Sequence, residues 1–411
     1  MRTASHLPHR TRTRKGAVAW LLACWLLTPS PLLAGAGGAT PPAYVHNGGY
    51  LLERNGRIIA AHRPDTALVP ASIWKIATAF QALTLLGPDF RFETCCYYGP
   101  DQTLSLQGSG DPMLISEEVA RIAARLHAAG VREVRNIVLD DSAFHLSPAA
   151  ADGATSTLNP YDVANSGLAV NFNTIHISKE PDGTIRSAEP ETPTLPLMIR
   201  LGRGLPAGTH RINISQKKEE MSQYAGELLA EALREQGIAV SGSIRPGAVP
   251  AGLAPIVRHL SSTTLNEAVR AMLEHSNNFI ANQLFLACGT KRFGGPATWE
   301  KGQRALAEFL REKARIAPQE FTVEEGSGLS RKNRVTPQAM IALLRAFRPY
   351  ADLMPMRDGV MVKTGTLNGV YSYAGYFQGP LGLDPFVLML NQPQNRRDQL
   401  LRYLESLHHG R

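Results

Sequence analysis

The chain has 411 residues, 44% of them apolar and 19% charged, with a formal net charge of +8. That apolar content suffices for a packed core and excludes a disordered chain, and the length corresponds to about two or three domains. The positive charge does not argue for nucleic acid: Arg2, Arg10, Arg12, Arg14 and Lys15 stand in the first segment with no acid among them, and without these five residues the charge is +3.

Those five residues form a basic stretch ahead of an apolar run, Gly16 to Leu27, and Ala34-Gly-Ala36 has the small-x-small form of a cleavage site. An export signal over residues 1–36, removed near Ala36, is expected, which places the mature chain in the periplasm. An uncleaved anchor is the alternative, but the run is short and is broken by Pro29 and Pro31. Leu21-Leu-Ala-Cys24 offers a lipoprotein-type alternative, disfavoured because apolar residues continue past Cys24. The mature chain keeps Cys95, Cys96 and Cys288. An odd number excludes complete pairing, and neighbouring cysteines bridge poorly. Three free thiols are expected, with a bridge from Cys288 to either of the others as the alternative. Neither the cysteines nor the histidines have metal-ligand spacing, and no metal or cofactor is expected.

Tyr50 to Ala61 reads as a hairpin around Asn55-Gly56, the dipeptide that a tight type I′ turn selects. Pro64 and Pro70 mark a loop. A helix is expected from Ser72 to about Leu86, stopped by Gly87-Pro88. Beyond Phe92, short strands, glycine turns and amphipathic helices alternate to about residue 254. Gly108-Ser-Gly-Asp-Pro112 lacks the Gly-Lys-Ser/Thr ending of a phosphate loop and is read as a turn. Glu117 to Ala129 is predicted helical, Asn136 to Asp140 a buried strand, and Ala169 to Thr174 another strand. Pro181, Pro190, Pro193 and Pro196 argue against any helix from Asp182 onward, until the amphipathic pattern of Glu219 to Gln236.

Thr264-Leu-Asn-Glu267 is a capping box, predicting a helix to about His275. A second apolar helix is expected after Ser276-Asn-Asn278, ending at Cys288. Helices are also expected over Trp299 to Ala314, from Thr336-Pro337 onward, and over Arg396 to Leu407. Gly359 to Thr366, Tyr371 to Phe377 and Phe386 to Asn391 form a predicted antiparallel meander. There is no internal repeat.

Three short motifs stand in order on these elements: Ser72-x-x-Lys75 at a helix start, Ser276-x-Asn278 between helices, and Lys363-Thr-Gly365 on a strand. One alone is weak evidence; Ser215-Gln-Lys-Lys218 has the first spacing in a polar stretch with no apolar helix around it. The chemistry of the three fits together. Residues three apart share a helix face, so the Lys75 amine can take the Ser72 proton and leave an alkoxide to attack a carbonyl. Lys75 serves as base if burial and the Lys363 charge hold it neutral. Ser276 and Asn278 relay a proton and hold the substrate amide, Lys363 attracts a carboxylate, and Gly365 admits a close backbone. The backbone N–H groups of Ser72 and Thr366 are the candidate oxyanion donors. Bland alternatives are a helix cap for Asn278 and a solvated edge-strand lysine for Lys363.

This trio in this order is shared by β-lactamases and penicillin-binding proteins. The chain resembles the type-4 penicillin-binding proteins, which are D-alanyl-D-alanine carboxypeptidases and endopeptidases of cell-wall metabolism. The resemblance rests on Pro70-Ala-Ser-Ile-Trp-Lys75, Gly108-Ser-Gly-Asp-Pro112, Leu139-Asp-Asp-Ser-Ala-Phe144, Ala169-Val-Asn-Phe-Asn173, Ser276-Asn-Asn278, Gly326-Ser-Gly-Leu-Ser-Arg331 and Lys363-Thr-Gly-Thr366. It implies an α+β transpeptidase-like, β-lactamase-like domain: a five-stranded antiparallel sheet with helices on both faces and a large inserted domain. The expected division is 37–95 and 255–411 for the transpeptidase-like domain and 96–254 for the insertion. It further implies Ser72, Lys75, Ser276 and Asn278 as catalytic and Lys363, Thr364, Gly365 and Thr366 as substrate-binding, with Thr366 helping to hold a terminal carboxylate.

The implied partners are peptidoglycan stem peptides and acylating β-lactams, with no nucleic acid and at most a loose association with the membrane surface. Two departures stand out. Ser72 and Ser276 are closer in sequence than in larger members, which implies a reduced insertion. Glu325 also replaces the usual aspartate before Gly-Ser-Gly-Leu-Ser. A β-lactamase of the same fold would need a deacylating Glu-x-x-Leu-Asn, which is missing between Ser72 and Ser276. A non-catalytic wall-binding scaffold would have no need of the intact motifs.

Overall fold

The computed structural model describes residues 41–155 and 157–410; the expected export signal and Cys24 lie outside them. The main sheet has six antiparallel strands in the order Met356–Arg357, Val360–Leu367, Val370–Gly379, Gly382–Leu390, Gly48–Arg54, Arg57–His62. The expected five strands are present, and the sixth is a two-residue edge strand too short to leave a periodic signal. The N-terminal hairpin joins the meander through its first strand, Gly48 opposite Leu390. Its turn is the I′ type that Asn-Gly favours, with φ of 52° at Asn55 and 76° at Gly56.

Strand alternation divides the side chains between two cores. Leu51, Ala374, Tyr376, Val387 and Met389 face one helical layer. It contains α1 (Lys75–Leu85), α5 (Leu265–Glu274), α6 (Asn278–Phe293), α7 (Trp299–Lys313) and α8 (Pro337–Phe347). Tyr50, Leu52, Phe386, Leu388 and Leu390 face the other side, where α9 (Arg397–His409) buries Leu400 and Leu404 completely. Each of those leucines contributes about 1.5–3 kcal/mol. The architecture is therefore the α+β, two-faced arrangement that the resemblance implies.

A second sheet holds the long segment between the first two motifs. Its order is Ile244–Pro246, Asn136–Asp140, Thr103–Gln107, Glu93–Tyr98, Val257–Leu260, mixing parallel and antiparallel pairs. Residue 95, the expected boundary, lies inside its Glu93–Tyr98 strand, and the sheet is closed by residues beyond 254. It packs against α2 (Ser116–Ala128) and α4 (Lys218–Glu235) through Ile122, Leu126, Leu228 and Leu233. A small three-stranded sheet, Ile185–Ser187, Thr174–Lys179, Gly208–Asn213, extends the same core.

Several expectations are corrected. Ala169 to Thr174 is not a strand: Asn171, Phe172 and Asn173 have φ of 47°, 60° and 51°, and the strand starts only at Thr174. Asparagine tolerates this left-handed region. Here the buried Asn171 amide donates to Ser116 Oγ and to the Tyr224 hydroxyl, both at 2.8 Å. The proline-rich stretch does hold a helix, α3 (Pro196–Gly202), which Pro196 opens from its first turn, a position where a missing N–H costs nothing. The helix expected to end at Cys288 continues to Phe293, and Gly289 lets α7 pack closely on it: a Cβ there would meet Gly302 N at 2.7 Å. Cys95, Cys96 and Cys288 are buried free thiols, and burial pushes the Cys96 thiol up to about 12.

Candidate active site

Ser72 lies in a 3-10 turn, Ala71–Trp74, rather than opening the α-helix itself; Lys75 is the first residue of α1. The turn is fixed from behind. Trp74 is fully buried and its indole N–H donates to Glu325 O at 3.0 Å. Ala71 has a φ of 52°, strain of the kind that surrounding structure must hold in place. A Cβ on Gly328 would stand 2.0 Å from Ala71 O, so the 325–333 loop presses directly on the turn.

That loop is organised by Glu325. Its buried carboxylate accepts from Ser327 N (2.7 Å), Ser327 Oγ (2.6 Å), Gly328 N (2.7 Å), Ser330 N (3.2 Å) and Asn333 Nδ2 (2.7 Å). Gly326 is tied to both neighbouring helices: its carbonyl accepts from Thr78 Oγ1 and its N–H donates to Asn282 Oδ1.

The three motifs converge. Lys75 Nζ lies 3.0 Å from Ser72 Oγ, 2.7 Å from Asn278 Oδ1 and 2.7 Å from Ser327 O. Lys363 Nζ lies 2.9 Å from Ser276 Oγ and 3.1 Å from Thr364 O. Gly365 closes the gap between them: a Cβ there would meet Ser72 N at 3.1 Å and Pro70 O at 2.7 Å. Ser72, Asn278, Ser276 and Thr364 are partly exposed and Thr366 is exposed, so the cluster opens to solvent.

Both bland alternatives fail on geometry. The cap of α6 is Asn277, whose Oδ1 accepts from Ile280 N at 3.0 Å, and this leaves the Asn278 carboxamide for Lys75. Lys363 is 1% exposed. Ser276, with a φ of 52°, turns the chain between α5 and α6 so that both motif side chains face inward. The second amide arm of Asn278 points toward Tyr161 O at 3.4 Å, bringing a loop of the long intervening segment to the rim.

Burial holds the Lys75 amine well below its ordinary value, the nearby Lys363 charge lowers it further, and Glu325 opposes both. Lys363 is pushed down to about 8, again chiefly by burial, then by Arg357, with Glu274 opposing and Arg397 adding to the depression. Among the described residues no group of three or more His, Cys, Asp or Glu is placed to hold a metal.

Two participants escaped the sequence reading. Ser327 contributes only its backbone carbonyl, which no side-chain motif reveals. Arg397, at the start of α9, donates to Thr366 Oγ1 at 2.6 Å and to Gly365 O at 3.1 Å. A cation at a helix N-terminus is placed against the helix dipole, and that local conflict was the available signal.

A model of the D-Ala-D-Ala carboxypeptidase 3 (S13) family matches residues 52–199 and 198–355. A D-alanyl-D-alanine carboxypeptidase from Actinomadura sp. is 28% identical over 479 residues, covering 93% of this chain and 89% of that protein. In fold, the chain is similar to the crystal structure of penicillin binding protein 4 from Haemophilus influenzae, with a TM-score of 0.73 and 22% identity over 89% of this chain and 96% of that one. The structure of the same H. influenzae protein complexed with a β-lactam superposes with a TM-score of 0.68 at 22% identity, again over 89% and 96%.

Proposed function

The chain belongs to the D-Ala-D-Ala carboxypeptidase 3 (S13) family of serine peptidases, and on that premise we propose that it is an exported DD-peptidase working through an acyl-enzyme on Ser72. One observation carries the mechanism: the partners of Lys75. A neutral amine has two N–H donors and one lone pair. Two of its three neighbours, Asn278 Oδ1 and Ser327 O, are carbonyl oxygens that only accept. They take both N–H groups and turn the lone pair toward the third neighbour, the Ser72 hydroxyl.

The Ser72 proton passes to Lys75 Nζ as Oγ attacks the carbonyl of the penultimate D-alanine. The negative charge that develops on the carbonyl oxygen falls to the N–H groups of Ser72 and Thr366. As the C–N bond breaks, the proton that Lys75 took from Ser72 passes through the Ser276 hydroxyl, which Lys363 holds in place, to the departing amine, and Lys75 is neutral again. Water then gives a proton to Lys75 and attacks the ester, releasing the shortened peptide and restoring Ser72.

Lys363, Thr364, Gly365 and Thr366 bind the extended substrate. The short edge strand pairs with Val360 and Met361 only, which leaves the motif segment as a sheet edge for an added strand. The same arrangement accepts the amide of a peptide cross-link, so endopeptidase activity is part of the proposal. A β-lactam presents a strained amide beside a carboxylate and acylates Ser72 in the substrate's place, in keeping with the β-lactam complex of the H. influenzae relative.

Fluorescent penicillin tests this reading. The wild-type protein becomes covalently labelled, Ser72→Ala abolishes labelling, and Lys75→Ala, still folded by circular dichroism, slows it by about 10²–10⁴-fold. An unlabelled, folded wild type points instead to a binding scaffold, and rapid loss of label with antibiotic turnover points to a β-lactamase. Periplasmic export rests on the N-terminal sequence; a secreted protein whose first residue lies ahead of Ala34 would refute cleavage near Ala36.

A further inference from the structure

We propose that Arg397 is a specificity residue of this site, holding the carboxylate of the departing D-amino acid together with Thr366; the inference rests on the acyl-enzyme reading above. Arg397 reaches the motif strand from the opposite side to the catalytic helices. It projects from the first turn of α9, which packs on the face carrying Tyr373, Leu388 and Leu390. Its guanidinium lies 4.7 Å from the centre of the Tyr373 ring, which fixes its plane.

The partners of this cation are incomplete. It donates to two neutral oxygens, Gly365 O and Thr366 Oγ1, and its buried Nε–H has no partner. The adjacent carboxylate, Asp398, is engaged by the Tyr373 hydroxyl at 2.7 Å. Among the described residues no carboxylate pairs with Arg397. A partly buried guanidinium without an anion, held against a helix dipole of the same sign, is a local cost that a bound anion removes.

The geometry says where that anion sits. Gly365 is gripped between the Ser72 turn, which its Cβ position almost touches, and Arg397 at its carbonyl. The guanidinium is thus one residue's width from the nucleophile's backbone. Thr366 is exposed, and its hydroxyl oxygen already accepts from Arg397. A hydroxyl has a single proton, and with the oxygen so engaged that proton is free to be donated outward. A carboxylate in the strand-edge groove receives the Thr366 O–H, polarised by the arginine behind it, while Lys363 supplies the second positive charge from the Ser276 side.

The test compares an N-acylated peptide ending in D-Ala-D-Ala with the same peptide ending in D-alaninamide. Arg397→Gln removes the charge and leaves a shorter, neutral side chain that can still donate a hydrogen bond. Removing the charge that strengthens the Thr366–carboxylate hydrogen bond is expected to give roughly a tenfold fall in kcat/KM, carried by KM, for the free acid. The amide is expected to react as with wild type, and Arg397→Lys to recover part of the loss. Where turnover of the amide is too slow, binding of the two peptides to Ser72→Ala gives the same contrast. Equal losses on acid and amide, or an unchanged acid, would overturn the proposal. Absence of penicillin labelling in the wild type would show that the underlying reading had failed, before any variant is compared.

Discussion

Gly365→Ala isolates the closeness of the motif strand to the Ser72 turn. The added Cβ would stand 2.7 Å from Pro70 O, 3.1 Å from Ser72 N and 3.2 Å from Ala71 Cβ. Ordinary contact begins near 3.4 Å, so the Pro70 contact is about 0.7 Å short. None of these atoms belongs to a side chain that can rotate away. Retreat of the turn is blocked as well, since the Gly328 backbone already abuts Ala71 O on the far side.

The misfit therefore becomes strain of about 1–3 kcal/mol, the usual cost of overpacking, and a fall in melting temperature of several degrees. It also spreads the Ser72 and Thr366 N–H groups. Displacements of this size at an oxyanion site cost about 10²-fold in rate. Stopped-flow acylation by a fluorescent penicillin, run beside thermal melting, reads both effects. Gly56→Ala is the control: nothing lies within 4 Å of its Cβ position, and its φ of +76° makes it a strained but remote substitution, costing about 1–2 kcal/mol. A Gly365→Ala protein that melts low yet acylates at the wild-type rate would refute the assignment of those two N–H groups.

The pH dependence follows from the two lysines. Acylation needs Lys75 neutral, and its amine is held well below the ordinary 10.5, so the rate rises as pH climbs through that depressed value. Recognition of an anionic substrate needs Lys363 charged, and its value of about 8 makes binding fall as pH passes that point. kcat/KM against pH is expected to be bell-shaped with its descending limb near pH 8; a descending limb set at the ordinary lysine value would remove Lys363 from substrate recognition. Glu325→Gln places an amide N–H₂ against donors that now meet a carboxylate, costing about 2–4 kcal/mol, measured as a shift in the urea midpoint. Because Glu325 raises the Lys75 value, the ascending limb should also move to lower pH; movement the other way would contradict that coupling.

The motif segments were legible because each opens or lines a regular element whose pattern is strong. Lys75 begins an apolar helix, Asn278 begins another, and Lys363 lies on a strand of a meander. What escaped depends on backbone conformation or on contacts distant in sequence. The left-handed run at Asn171, Phe172 and Asn173 alternates like a strand, and only its buried partners Ser116 and Tyr224 reveal the turn. Prolines were read as helix breakers where Pro196 is a helix opener, because proline's meaning depends on its position in the first turn. Asn277 and Asn278 cannot be told apart in sequence, yet one caps the helix and the other faces the amine. Glu325 was legible as a departure from the family pattern but not as a hub, since its donors are mainly backbone N–H groups of the loop it closes.

The two buried lysines show how one side-chain type is made to do opposite work. Desolvation disfavours the charge on both, so burial alone would tend to neutralise both. Lys75 is fully buried and receives a further push from the Lys363 charge. Lys363 is buried as well but has the opposing field of Glu274, and its value stops near 8. Each therefore depends on the other. The charge on Lys363 helps to keep Lys75 a base, and a neutral Lys75 leaves Lys363 free of a like charge beside it. On the acyl-enzyme reading, a proton that arrives on Lys75 during attack meets the Lys363 charge, which favours its onward passage to the departing amine. Ser276, the relay that the acyl-enzyme reading assigns to the departing nitrogen, lies 2.9 Å from the Lys363 amine. On that reading the pair couples proton uptake by Lys75 from Ser72 to proton delivery at the leaving group through electrostatics, with no rearrangement of the fold.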